Sequence, residues 1–403
     1  MQETYDILII GGGLSGGCLA LALKDSGYRI AVVEAFTDTQ RHASRAGDRA
    51  LALSYGTVCL LRALRLWEPL QDLGAPIRDI HISARGHFGK TRLSARDHGV
   101  EALGYVITAR ALEDAIAAAL DRASVERICP ARLTGFQSGS DAVIGTLRQH
   151  ENAFDVSTRL LVGADGAESS VRRFLSIDQE TRDYHQSAIV TSVRPHIDPA
   201  GVAFERFTET GPLAMLPILD RCCSVVWTQT TANADQIIAL DDEDFLACLQ
   251  NAFGFRLGRL KLQSKRMQFP LKLVRAKKMI GHRSVLIGNT VHQLHPVAGQ
   301  GFNLGMRDIA ALAEMIVNDL RSQQDPGGNA LLEAYARARS QDHETVIRFI
   351  DLVVRIFSND WLPLASARGW GLLGLDRCYP AKRALTRHAM GLGGPMPRIG
   401  DMN

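Results

Sequence analysis

The sequence predicts an α/β protein in which a domain built on a parallel sheet is interrupted by a mixed β-sheet and followed by a helical tail. Three observations support this fold class. Residues 5–34 run as strand, glycine-rich turn, helix and strand. Strand-like segments fill residues 187–273. A continuous apolar strand and a helix then return within residues 284–320, and such a strand is typical of a sheet that is buried on both faces.

The first third of the chain is predicted to alternate strands with helices. The segment "YDILII" is continuously apolar, and "YRIAVVE" repeats that pattern after a short helix of small residues. A further strand, "RLLVGAD", closes this part of the chain. The predicted strands are residues 5–10, 28–34 and 159–165, and the predicted helices are residues 14–24, 51–66 and 112–120.

The middle of the chain has a different pattern. Four segments predict strands of a sheet: "SAIVTSV", "VAFERFT", "LAMLPI" and "CSVVWTQT". One helix, "DDEDFLACLQNAF", is predicted to cross this sheet. After it, "SVLIGN" predicts a strand and residues 305–320 predict a helix. The tail from residue 346 predicts an amphipathic helix whose apolar face carries Val346, Ile350 and Val353.

Composition narrows the class of function. The chain has 403 residues, 46% of them hydrophobic, which is enough for two structural units. Its 46 basic and 43 acidic residues are too evenly balanced for a nucleic-acid binder. Seven cysteines include no CxxC pair, so we expect reduced thiols in a cytoplasmic protein and no metal site. No apolar run reaches the ~18 residues of a membrane span, so any contact with the inner membrane is expected to be peripheral.

The first motif that carries chemistry is Gly11-x-Gly13-x-x-Gly16, between the first strand and the first helix. The first glycine permits a tight turn, the second lets a pyrophosphate approach the backbone, and the third lets the helix pack closely on the strand. Glu34 ends the next strand, where its carboxylate can accept hydrogen bonds from ribose hydroxyls. This context predicts a Rossmann-like dinucleotide site.

The second motif is "GADGAESSVRRFL", residues 163–175. Asp165 ends a predicted strand, and sheets of this class hold their ligands at the carboxyl ends of parallel strands. An ordinary turn, with the aspartate capping the following helix, is the alternative.

The third motif is "GNTVHQLHPVAGQGFNLGMRD", residues 288–308, which precedes an apolar helix-like run. Its glycines expose backbone N–H groups, and a helix N-terminus carries about half a positive charge. The loop has no carboxylate before its last residue, so it suits an electron-rich ligand. Asn289 is predicted at the carboxyl end of a strand, and Gly299 and Gly301 supply N–H groups at the helix start.

These motifs divide the chain. We expect a Rossmann-like cofactor-binding domain formed by residues 1–185 and 278–345, with residues 186–277 inserted as the β-sheet substrate domain. A short stretch near residues 76–95 is a candidate for joining that sheet. Residues 346–403 are expected to form a C-terminal helical region.

In this order and spacing the three motifs resemble the flavin-dependent aromatic hydroxylases, and most closely their ubiquinone-biosynthesis branch. The segments "DRALALSYGT", "AFERFTETGPLAMLPI", "FGFRLGRL" and "WLPLASARGWGL" extend the likeness along nearly the whole chain. The resemblance implies FAD as cofactor and NAD(P)H and O2 as co-substrates. It further implies that NAD(P)H reduces the flavin, that O2 adds at its C4a atom, and that the hydroperoxide hydroxylates a polyprenylated phenol.

The resemblance also assigns cofactor contacts residue by residue. Those expected at the ADP half and the pyrophosphate are Gly11, Gly13, Gly16, Glu34, Arg49 and Asp165. Those expected at the ribityl chain and the ring are Gly288, Asn289, Pro296, Gly299, Gln300, Gly301 and Asn303. The family usually has aspartate where this chain has Asn289, and an amide can still hydrogen-bond a ribityl hydroxyl without the charge.

The substrate is expected between the flavin and the middle sheet. Met215, Pro217 and Trp227 are candidates for the wall of this site, with packing in the sheet core as the alternative. His295 is a candidate for polarising the phenol, with a packing role as the alternative, and His292 is expected to be structural. The sequence has no second dinucleotide motif, so we expect NAD(P)H to bind transiently.

The tail holds eight Lys and Arg against four Asp and Glu, together with Trp361 and Trp370. This composition favours peripheral contact with an anionic membrane or with other enzymes of the ubiquinone pathway, and packing on its own domain is the alternative. Two other functions stay open from the sequence. One is a non-catalytic FAD-binding scaffold in a multi-enzyme assembly, and the other is a hydroxylase of a soluble phenol.

Overall fold

The computed structural model describes residues 3–43, 45–86, 89–295, 299–321, 325–357 and 371–394. Within these ranges three β-sheets form the framework and helices pack on their faces. Three residues singled out from the sequence, Pro296, Trp361 and Trp370, lie outside the described residues. In the described ranges, no helix is both long enough and apolar enough to cross a bilayer.

The helices are α1 (Leu14–Leu23), α2 (Asp38–Ala43), α3 (Tyr55–Ala63), α4 (Ala109–Arg122), α5 (Ser170–Phe174), α6 (Thr231–Ala239), α7 (Asp242–Phe253), α8 (Gln300–Arg321), α9 (Asn329–Phe357) and α10 (Tyr379–Ala389). The strands are β1 (Glu3–Ile10), β2 (Ile30–Val33), β3 (Ala50–Ser54), β4 (Ala75–Ile77), β5 (Asp79–Ala84), β6 (Lys90–Ser94), β7 (Gly104–Thr108), β8 (Glu126–Ile128), β9 (Arg132–Ser138), β10 (Val143–Gln149), β11 (Asn152–Gly163), β12 (Gln179–Pro195), β13 (Val202–Thr208), β14 (Gly211–Ile218), β15 (Cys222–Thr230), β16 (Leu260–Leu262), β17 (Met267–Ala276), β18 (Ile280–Gly281), β19 (Ser284–Leu286) and β20 (His292–Gln293).

The first sheet has the N-terminal strand at its centre. β1 pairs in parallel with β2 on one side and with β11 on the other, and β11 pairs in parallel with β19. Ile7 and Ile9 pack against α1, α4 and α8, whereas Leu8 and Ile10 pack against the hairpin formed by β9 and β10. Because these four strands are parallel, their carboxyl ends gather at one edge of the sheet.

The second sheet is mixed, and its strands are hydrogen-bonded in the order β20-β17-β12-β15-β14-β13-β5-β6, with β16 next to β12. Its described pairings are antiparallel except for β13 with β5. Two strands from the stretch near residues 76–95, β5 and β6, belong to this sheet. A third sheet, β3-β7-β4, lies between the two larger ones in contact with β14.

The prediction of a helix over residues 51–66 is wrong in its first turn. Ala50–Ser54 is a strand, and the helix begins only at Tyr55. Ser54 starts the helix because its hydroxyl accepts a hydrogen bond from the Thr57 N–H group. The sequence "LALSYGTVCLLRAL" is apolar throughout, and an apolar run does not distinguish a buried strand from a buried helix.

Two other boundaries differ from the sequence prediction. α8 begins at Gln300 rather than at residue 305. The strand predicted at "SVLIGN" ends at Leu286, and the chain then forms a 3-10 turn at Gly288–Thr290. Gly288 has a φ of +61°, which favours glycine and ends the extended conformation.

The predicted amphipathic tail helix is the second half of α9. Val346 and Ile350 pack with Leu304 of α8, next to Leu294 and Tyr184. Further along, α10 packs on β6 and β5 through its apolar side chains Leu385 and Ala389. In the described part of the tail, the apolar faces therefore pack on the protein's own domain.

Candidate active site

A cavity of about 790 Å³ lies at the edge where the parallel strands end. Ligand clefts in proteins commonly measure about 300–1,000 Å³, so this volume suits a cofactor. The residues that the sequence analysis singled out and that line this cavity come from all three motifs: Gly11, Gly13, Glu34, Arg49, Asp165, Asn289, His295, Gly299 and Gly301. The topology brings the three motifs together because each one follows the carboxyl end of a strand of the same sheet.

The glycines of the first motif have separate physical roles. Gly11 has a φ of +104°, and a Cβ atom there would lie 2.4 Å from the Ala164 carbonyl oxygen. A Cβ at Gly16 would lie 1.8 Å from the Gly11 carbonyl oxygen, so Gly16 lets α1 pack against the turn. A Cβ at Gly13 would meet no protein atom within 4 Å. Gly13 therefore leaves space on the cavity side for a ligand to approach the backbone.

Glu34 is held in place by the backbone. Its Oε2 accepts a hydrogen bond from the Gly12 N–H group at 2.8 Å, and its Oε1 accepts one from the Phe36 N–H group at 3.0 Å. The residue is 7% exposed, and that remaining surface lies on the cavity. A carboxylate can accept about four hydrogen bonds, so Glu34 retains capacity for the hydroxyl groups of a ribose.

Asp165 contacts the start of α5 and also lines the cavity. Its Oδ2 accepts hydrogen bonds from the N–H groups of Ser170 and Val171 and from the Ser170 hydroxyl, so it binds the first turn of α5, whose N-cap residue is Ser169. Its Oδ1 is buried without a hydrogen-bond partner, and the residue lines the cavity. A buried oxygen of this kind is costly unless a ligand or water satisfies it. The free oxygen of Asp165 fits a polar group of a bound cofactor.

Besides Asn289 and His295, the third motif presents the backbone of Gly299 and Gly301 to the cavity. A Cβ at Gly301, in the first turn of α8, would meet no protein atom within 4 Å. Gly299 has a φ of +61° and lies so close to Ala52 that a Cβ would come within 2.9 Å of it. The N-terminus of α8 thus lies beside an open space, where the helix dipole favours negative charge.

Some residues expected at the cofactor lie outside the lining of this cavity, namely Gly16, Gly288, Gln300 and Asn303. Asn303 is 3% exposed. Its side-chain oxygen accepts hydrogen bonds from the Ser54 N–H group and the Thr57 hydroxyl, and its amide donates to the Ala52 and Gly299 carbonyls. These four bonds assign Asn303 to positioning the glycine loop against β3.

The sequence analysis missed several polar residues of the same cavity: Ser15, Arg132, Thr134, Glu168, Ser170 and Arg173. Arg132 comes from β9, a strand that was not predicted, so its position was hidden. Arg173 belongs to "SVRR" of the second motif, and its place in the first turns after Asp165 was the available signal. Together with Arg49, these two arginines supply positive charge for phosphate groups.

His295 lies where the third motif enters the cavity and is 1% exposed. Its ring packs edge-on against Tyr184, with 5.3 Å between ring centroids. Burial lowers the pKa of His295 to about 4. The imidazole is therefore neutral at pH 7. Its packing against Tyr184 supports the packing role that the sequence analysis gave as the alternative.

Behind this loop lies a buried cluster around Asp308 of α8. His292 and His343 each contact the Asp308 carboxylate through Nε2, at 3.3 and 2.7 Å, and Arg339 donates to it through Nε at 2.7 Å. His292, Asp308 and His343 lie close enough together to hold a metal ion. The Arg339 guanidinium already balances the charge of the carboxylate, so we assign the cluster to structure, as expected for His292.

The three residues predicted for the substrate-side wall, Met215, Pro217 and Trp227, lie in β14 and β15 of the second sheet. Met215 and Trp227 are buried in the core beneath α6 and α7, and Pro217 lies on the same face of β14 as Met215. Of the two readings left open for these residues, core packing is the one seen for Met215 and Trp227. Side chains alternate along a strand, so the opposite face of β14 carries Leu216 and Ile218, which pack near Val106 and Ala203.

A second cavity of about 440 Å³ adjoins the first. Ala50 of β3 lines both, and the accessible lining of the second cavity is mainly apolar. Val190 and Ile218 of the second sheet form part of its wall. The two cavities place an apolar space directly beside the end of the cofactor cavity.

The cofactor cavity fits FAD by three observations of its own residues. Gly13 and Gly301 leave room for a ligand at its two ends, Asp165 Oδ1 lacks a partner, and arginines lie along its wall. This is the chemistry that a pyrophosphate between two polar nucleotides requires.

Known proteins resemble this chain along nearly its whole length. The model of the FAD-binding-domain family matches residues 4–350. The chain is 36% identical to ubiquinone hydroxylase UbiL of Rhodospirillum rubrum, over 99% of the chain and 93% of that protein. It is 30% identical to 3-demethoxyubiquinol 3-hydroxylase of Escherichia coli, over 97% of the chain and 100% of that protein. It is 27% identical to the human mitochondrial ubiquinone biosynthesis monooxygenase COQ6, over 96% of the chain and 93% of that protein.

Solved structures show the same fold. p-Nitrophenol 4-monooxygenase of Pseudomonas putida superposes with a TM-score of 0.80 at 15% identity, covering 98% of this chain and 99% of that one. PqsL of Pseudomonas aeruginosa superposes with a TM-score of 0.75 at 21% identity, covering 92% of this chain and 100% of that one. These matches confirm the predicted α/β fold class. The length of the family match and the identity to full-length relatives also confirm the predicted FAD cofactor and enzyme class, and the chain belongs to the FAD-binding-domain family of flavin-dependent monooxygenases.

Proposed function

We propose that this protein hydroxylates the aromatic ring of a polyprenylated phenol in ubiquinone biosynthesis, with FAD as cofactor and NAD(P)H and O2 as co-substrates. The observation that carries the proposal is the meeting of the three motifs on one cavity that adjoins a mainly apolar one at Ala50. Relatives named for ubiquinone hydroxylation align with the full chain and add to it. The sequence resemblance favours a substrate of the kind used by 2-polyprenyl-6-methoxyphenol hydroxylases.

The residues of this chain bind and orient the cofactor. FAD, when bound, supplies the redox and oxygen-transfer chemistry. Gly13 and Gly301 admit it close to the backbone, and Glu34 and Asp165 offer acceptors at the end that binds the nucleotide. The N-terminus of α8 stabilises negative charge near Gly301, because Gly299 and Gly301 line the cavity where the positive end of the helix dipole lies. A neutral His295 adds no positive charge of its own.

The second cavity suits the apolar part of the substrate. Leu73 and Leu219 line it and are nevertheless 49% and 44% exposed, so its mouth is apolar where it meets solvent. Exposed large apolar side chains at a cavity mouth favour entry of an apolar ligand. A polyprenyl chain that follows this mouth would leave its phenol ring next to the cofactor cavity.

The function can be tested with purified, FAD-loaded protein. We expect NAD(P)H oxidation to be stimulated by a phenol that carries a short prenyl chain, and the product to gain one oxygen atom from labelled O2, measured by mass spectrometry. Binding of FAD without phenol-stimulated oxidation would favour the scaffold alternative. Equal kcat/KM values for phenols with and without prenyl chains would favour the soluble-phenol alternative.

We also propose that the protein makes peripheral contact with an anionic membrane through α10. Its exposed side carries Arg383 and Arg387, and Tyr379 before them is 57% exposed, while Leu385 packs inward. Basic residues near an anionic surface each contribute about 1 kcal/mol at moderate ionic strength. This arrangement allows the helix to pack on its own domain and to face lipid headgroups at the same time.

Vesicle binding tests the membrane proposal. Charge reversal in an Arg383→Glu and Arg387→Glu double variant is expected to reduce binding to anionic vesicles by more than about tenfold. Arg148→Glu, at an exposed position of β10, should leave binding unchanged. Absence of binding by the unmodified protein would refute the proposal, and retention on other pathway enzymes instead would favour the partner alternative.

A further inference from the structure

Several loops meet at one end of the second sheet. Val193 of β12 pairs with Cys223 of β15. Pro195 of β12 pairs with Leu260 of β16. β14 ends at the same level, because its last residue pairs with the first residue of β15. The loops after β12, between β14 and β15, and before β16 therefore lie side by side. We call them the loop end: residues 196–201, 219–221 and 254–259.

Contacts join the three loops. The Ile197 N–H group donates a hydrogen bond to the Leu257 carbonyl at 2.9 Å. The Arg221 Nε atom lies 2.9 Å from Asp198 Oδ2 and forms an ion pair with it. The loop that follows β12 thus contacts both of the others, and the loop end forms one continuous surface.

Each of the three loops exposes a large apolar side chain. Phe255 is 70% exposed, Ile197 is 50% exposed and Leu219 is 44% exposed. Leu219 also lines the second cavity, together with the exposed Leu73. These four residues are among ten large apolar side chains that are exposed in the described ranges, so such side chains are concentrated here. Concentrated apolar surface of this kind usually marks an interaction site.

The turn that carries Phe255 belongs to the segment "FGFRLGRL", residues 253–260, for which the proposed function gives no role. The Gln250 side-chain amide donates to the Gly254 carbonyl at 2.8 Å and to the Gly258 carbonyl at 3.1 Å. The Gly258 N–H group donates back to the Phe255 carbonyl at 2.9 Å. The turn is therefore fixed before any partner binds, and a preorganised turn loses little conformational freedom on binding.

The loop end and the strand ends next to it are basic. Residues 194–201, 219–221 and 254–261 hold five basic and two acidic side chains, a net charge of +3. Arg194 and Lys261 lie directly opposite each other on β12 and β16, and both are exposed. Like charges in such a position repel each other, and an anionic partner would relieve the repulsion. The surface is thus complementary to negative charge.

The basic side of α10 lies at the same end of the second sheet. β6 ends at Ser94, which pairs with Asp79, and Asp79 pairs with Val202 at the start of β13. The chain after β6 reaches His98, whose pKa is lowered by burial and then by Arg383 of α10. The membrane contact proposed for α10 and the loop end therefore lie at one end of the sheet.

We propose that the loop end docks on an anionic lipid bilayer. Phe255 and Ile197 enter the headgroup region, and the basic side chains contact the headgroup phosphates. The inference rests on the proposed function in that the second cavity receives the polyprenyl chain. Because Leu219 belongs both to the loop end and to the lining of that cavity, the chain passes from the bilayer into the cavity along an apolar path.

The form of the loop end favours a bilayer over a protein partner. Phe255 and Ile197 project from turns and line neither the cofactor cavity nor the second cavity. Residues that dominate protein interfaces cluster in well-packed pockets. An interfacial anchor requires only apolar side chains with basic ones around them, which the loop end provides.

Vesicle sedimentation of the FAD-loaded protein can test the docking. The probes are anionic vesicles that contain phosphatidylglycerol and neutral vesicles of phosphatidylcholine. We expect the unmodified protein to prefer the anionic vesicles, and Phe255→Ser to weaken that binding by about tenfold or more, because the inserted ring is lost. The matched control is Ile144→Ser, since Ile144 is exposed on β10 of the first sheet. This control should bind as the unmodified protein does.

The like-charged pair gives a second test. Lys261→Glu should weaken binding to the anionic vesicles by roughly tenfold, because it reverses one charge of the surface. It should not lower the urea concentration at the midpoint of unfolding, because an opposite-charge pair with Arg194 replaces a like-charge pair. Weaker binding without lower stability separates docking from a structural role. Arg148→Glu makes the same change of charge on β10 and should leave binding unchanged.

Steady-state kinetics test the delivery of the substrate. For a phenol with a long prenyl chain, embedded in anionic vesicles, Phe255→Ser should lower kcat/KM by about tenfold, in step with its weaker binding. For a phenol with a short prenyl chain in solution, the same variant should keep the kcat/KM of the unmodified protein. The FAD content and the urea midpoint of each variant check that it is folded.

The outcomes separate the docking from the function itself. If the unmodified protein does not bind anionic vesicles, or if Phe255→Ser and Lys261→Glu bind them as well as it does, the docking is refuted. Should Phe255→Ser not fold, Lys261→Glu decides alone. If vesicle binding is lost in the variants but no phenol is turned over by the unmodified protein, the proposed function fails while the docking stands. A dimer that Phe255→Ser abolishes, measured by light scattering, would assign the loop end to a second copy of this chain and refute docking on lipid.

Discussion

The Asp308 carboxylate of α8 accepts a hydrogen bond from the Arg339 guanidinium of α9 at 2.7 Å, with both residues almost fully buried. Burial alone would raise the pKa of Asp308, but His343, Arg339 and His292 hold it well below its usual range. Because His292 belongs to β20, directly before Leu294 and His295, this cluster ties the loop of the third motif to two helices. The cofactor loop thus depends on an ion pair remote from the cofactor cavity.

Asp308→Asn is expected to destabilise the protein by about 3–5 kcal/mol, because it leaves the Arg339 charge buried without its partner. The free energy of unfolding in urea at pH 7 is the measurement. Glu344→Gln provides the control, since Glu344 and Arg348 form an exposed pair on the same helix α9 at 2.8 Å. That exposed pair should contribute less than about 1 kcal/mol. Equal losses in the two variants would contradict the assignment.

The Asp308 cluster also predicts acid sensitivity. A carboxylate whose pKa is lowered by folding contributes stability above the ordinary pKa of about 4, and that contribution is lost as the pH falls through the folded value. Asp308→Asn should therefore reduce the acid-induced loss of stability below about pH 4 relative to the unmodified protein. Urea unfolding at pH 5 and pH 3 would measure the difference.

His295 predicts a separate pH dependence at milder pH. Burial lowers the pKa of this histidine from 6.5 to about 4, so the unfolded chain binds a proton below 6.5 that the folded chain does not. As the pH is lowered from 6.5 towards 4, this group should reduce the free energy of unfolding by about 1.4 kcal/mol per pH unit. His295→Gln should remove about 2 kcal/mol of the loss between pH 7 and pH 5, measured by urea unfolding. His185→Gln, with a side chain 90% exposed, should leave the pH dependence unchanged.

The meeting of the three motifs at one cavity could be predicted from the sequence because each motif is local. Each consists of glycines and one polar residue placed directly after a strand, and the parallel order of β1, β11 and β19 brings the three together. The Asp308 cluster had no such signal. Its members His292, Asp308, Arg339 and His343 come from three elements, and nothing in the spacing between them indicates a contact.

The core position of Met215 could not be predicted for a different reason. In "LAMLPI" the residues on both faces of β14 are apolar, so the pattern predicts a strand without indicating which face is the core. A shift of one residue moves every side chain to the other face. Met215 lies in the core because α6 and α7 cover its face of the sheet. Which face of a sheet the helices cover is a property of the tertiary structure.

The first motif predicts opposite effects for two glycines. Gly13→Ala should leave the free energy of unfolding of the FAD-free protein within about 1 kcal/mol, because the new methyl group meets no protein atom. It should weaken FAD binding by about tenfold or more, equivalent to about 1.4 kcal/mol, by occupying space left for the ligand. Gly16→Ala should instead destabilise the FAD-free protein by about 2–3 kcal/mol, because its methyl group overlaps the Gly11 carbonyl.

Flavin fluorescence titration and urea unfolding of the FAD-free protein would measure the two effects in both variants. Each glycine serves as the control for the other. The reverse pattern, with Gly13→Ala unfolding the protein and Gly16→Ala losing only FAD, would mean that the cofactor does not lie against Gly13.

Met215 and Leu216 are neighbours in sequence that point to opposite faces of β14, and the two faces predict different defects. Met215→Ala should destabilise the protein by about 2–5 kcal/mol through a cavity in the core, with KM for the prenylated phenol unchanged. Leu216 is only partly buried. Leu216→Ala should cost about 1 kcal/mol or less in stability and raise KM by roughly tenfold through lost apolar contact. Urea unfolding and steady-state kinetics on the same preparations measure both quantities. A raised KM in Met215→Ala alone would indicate that the substrate binds at the face of β14 beneath α6 and α7.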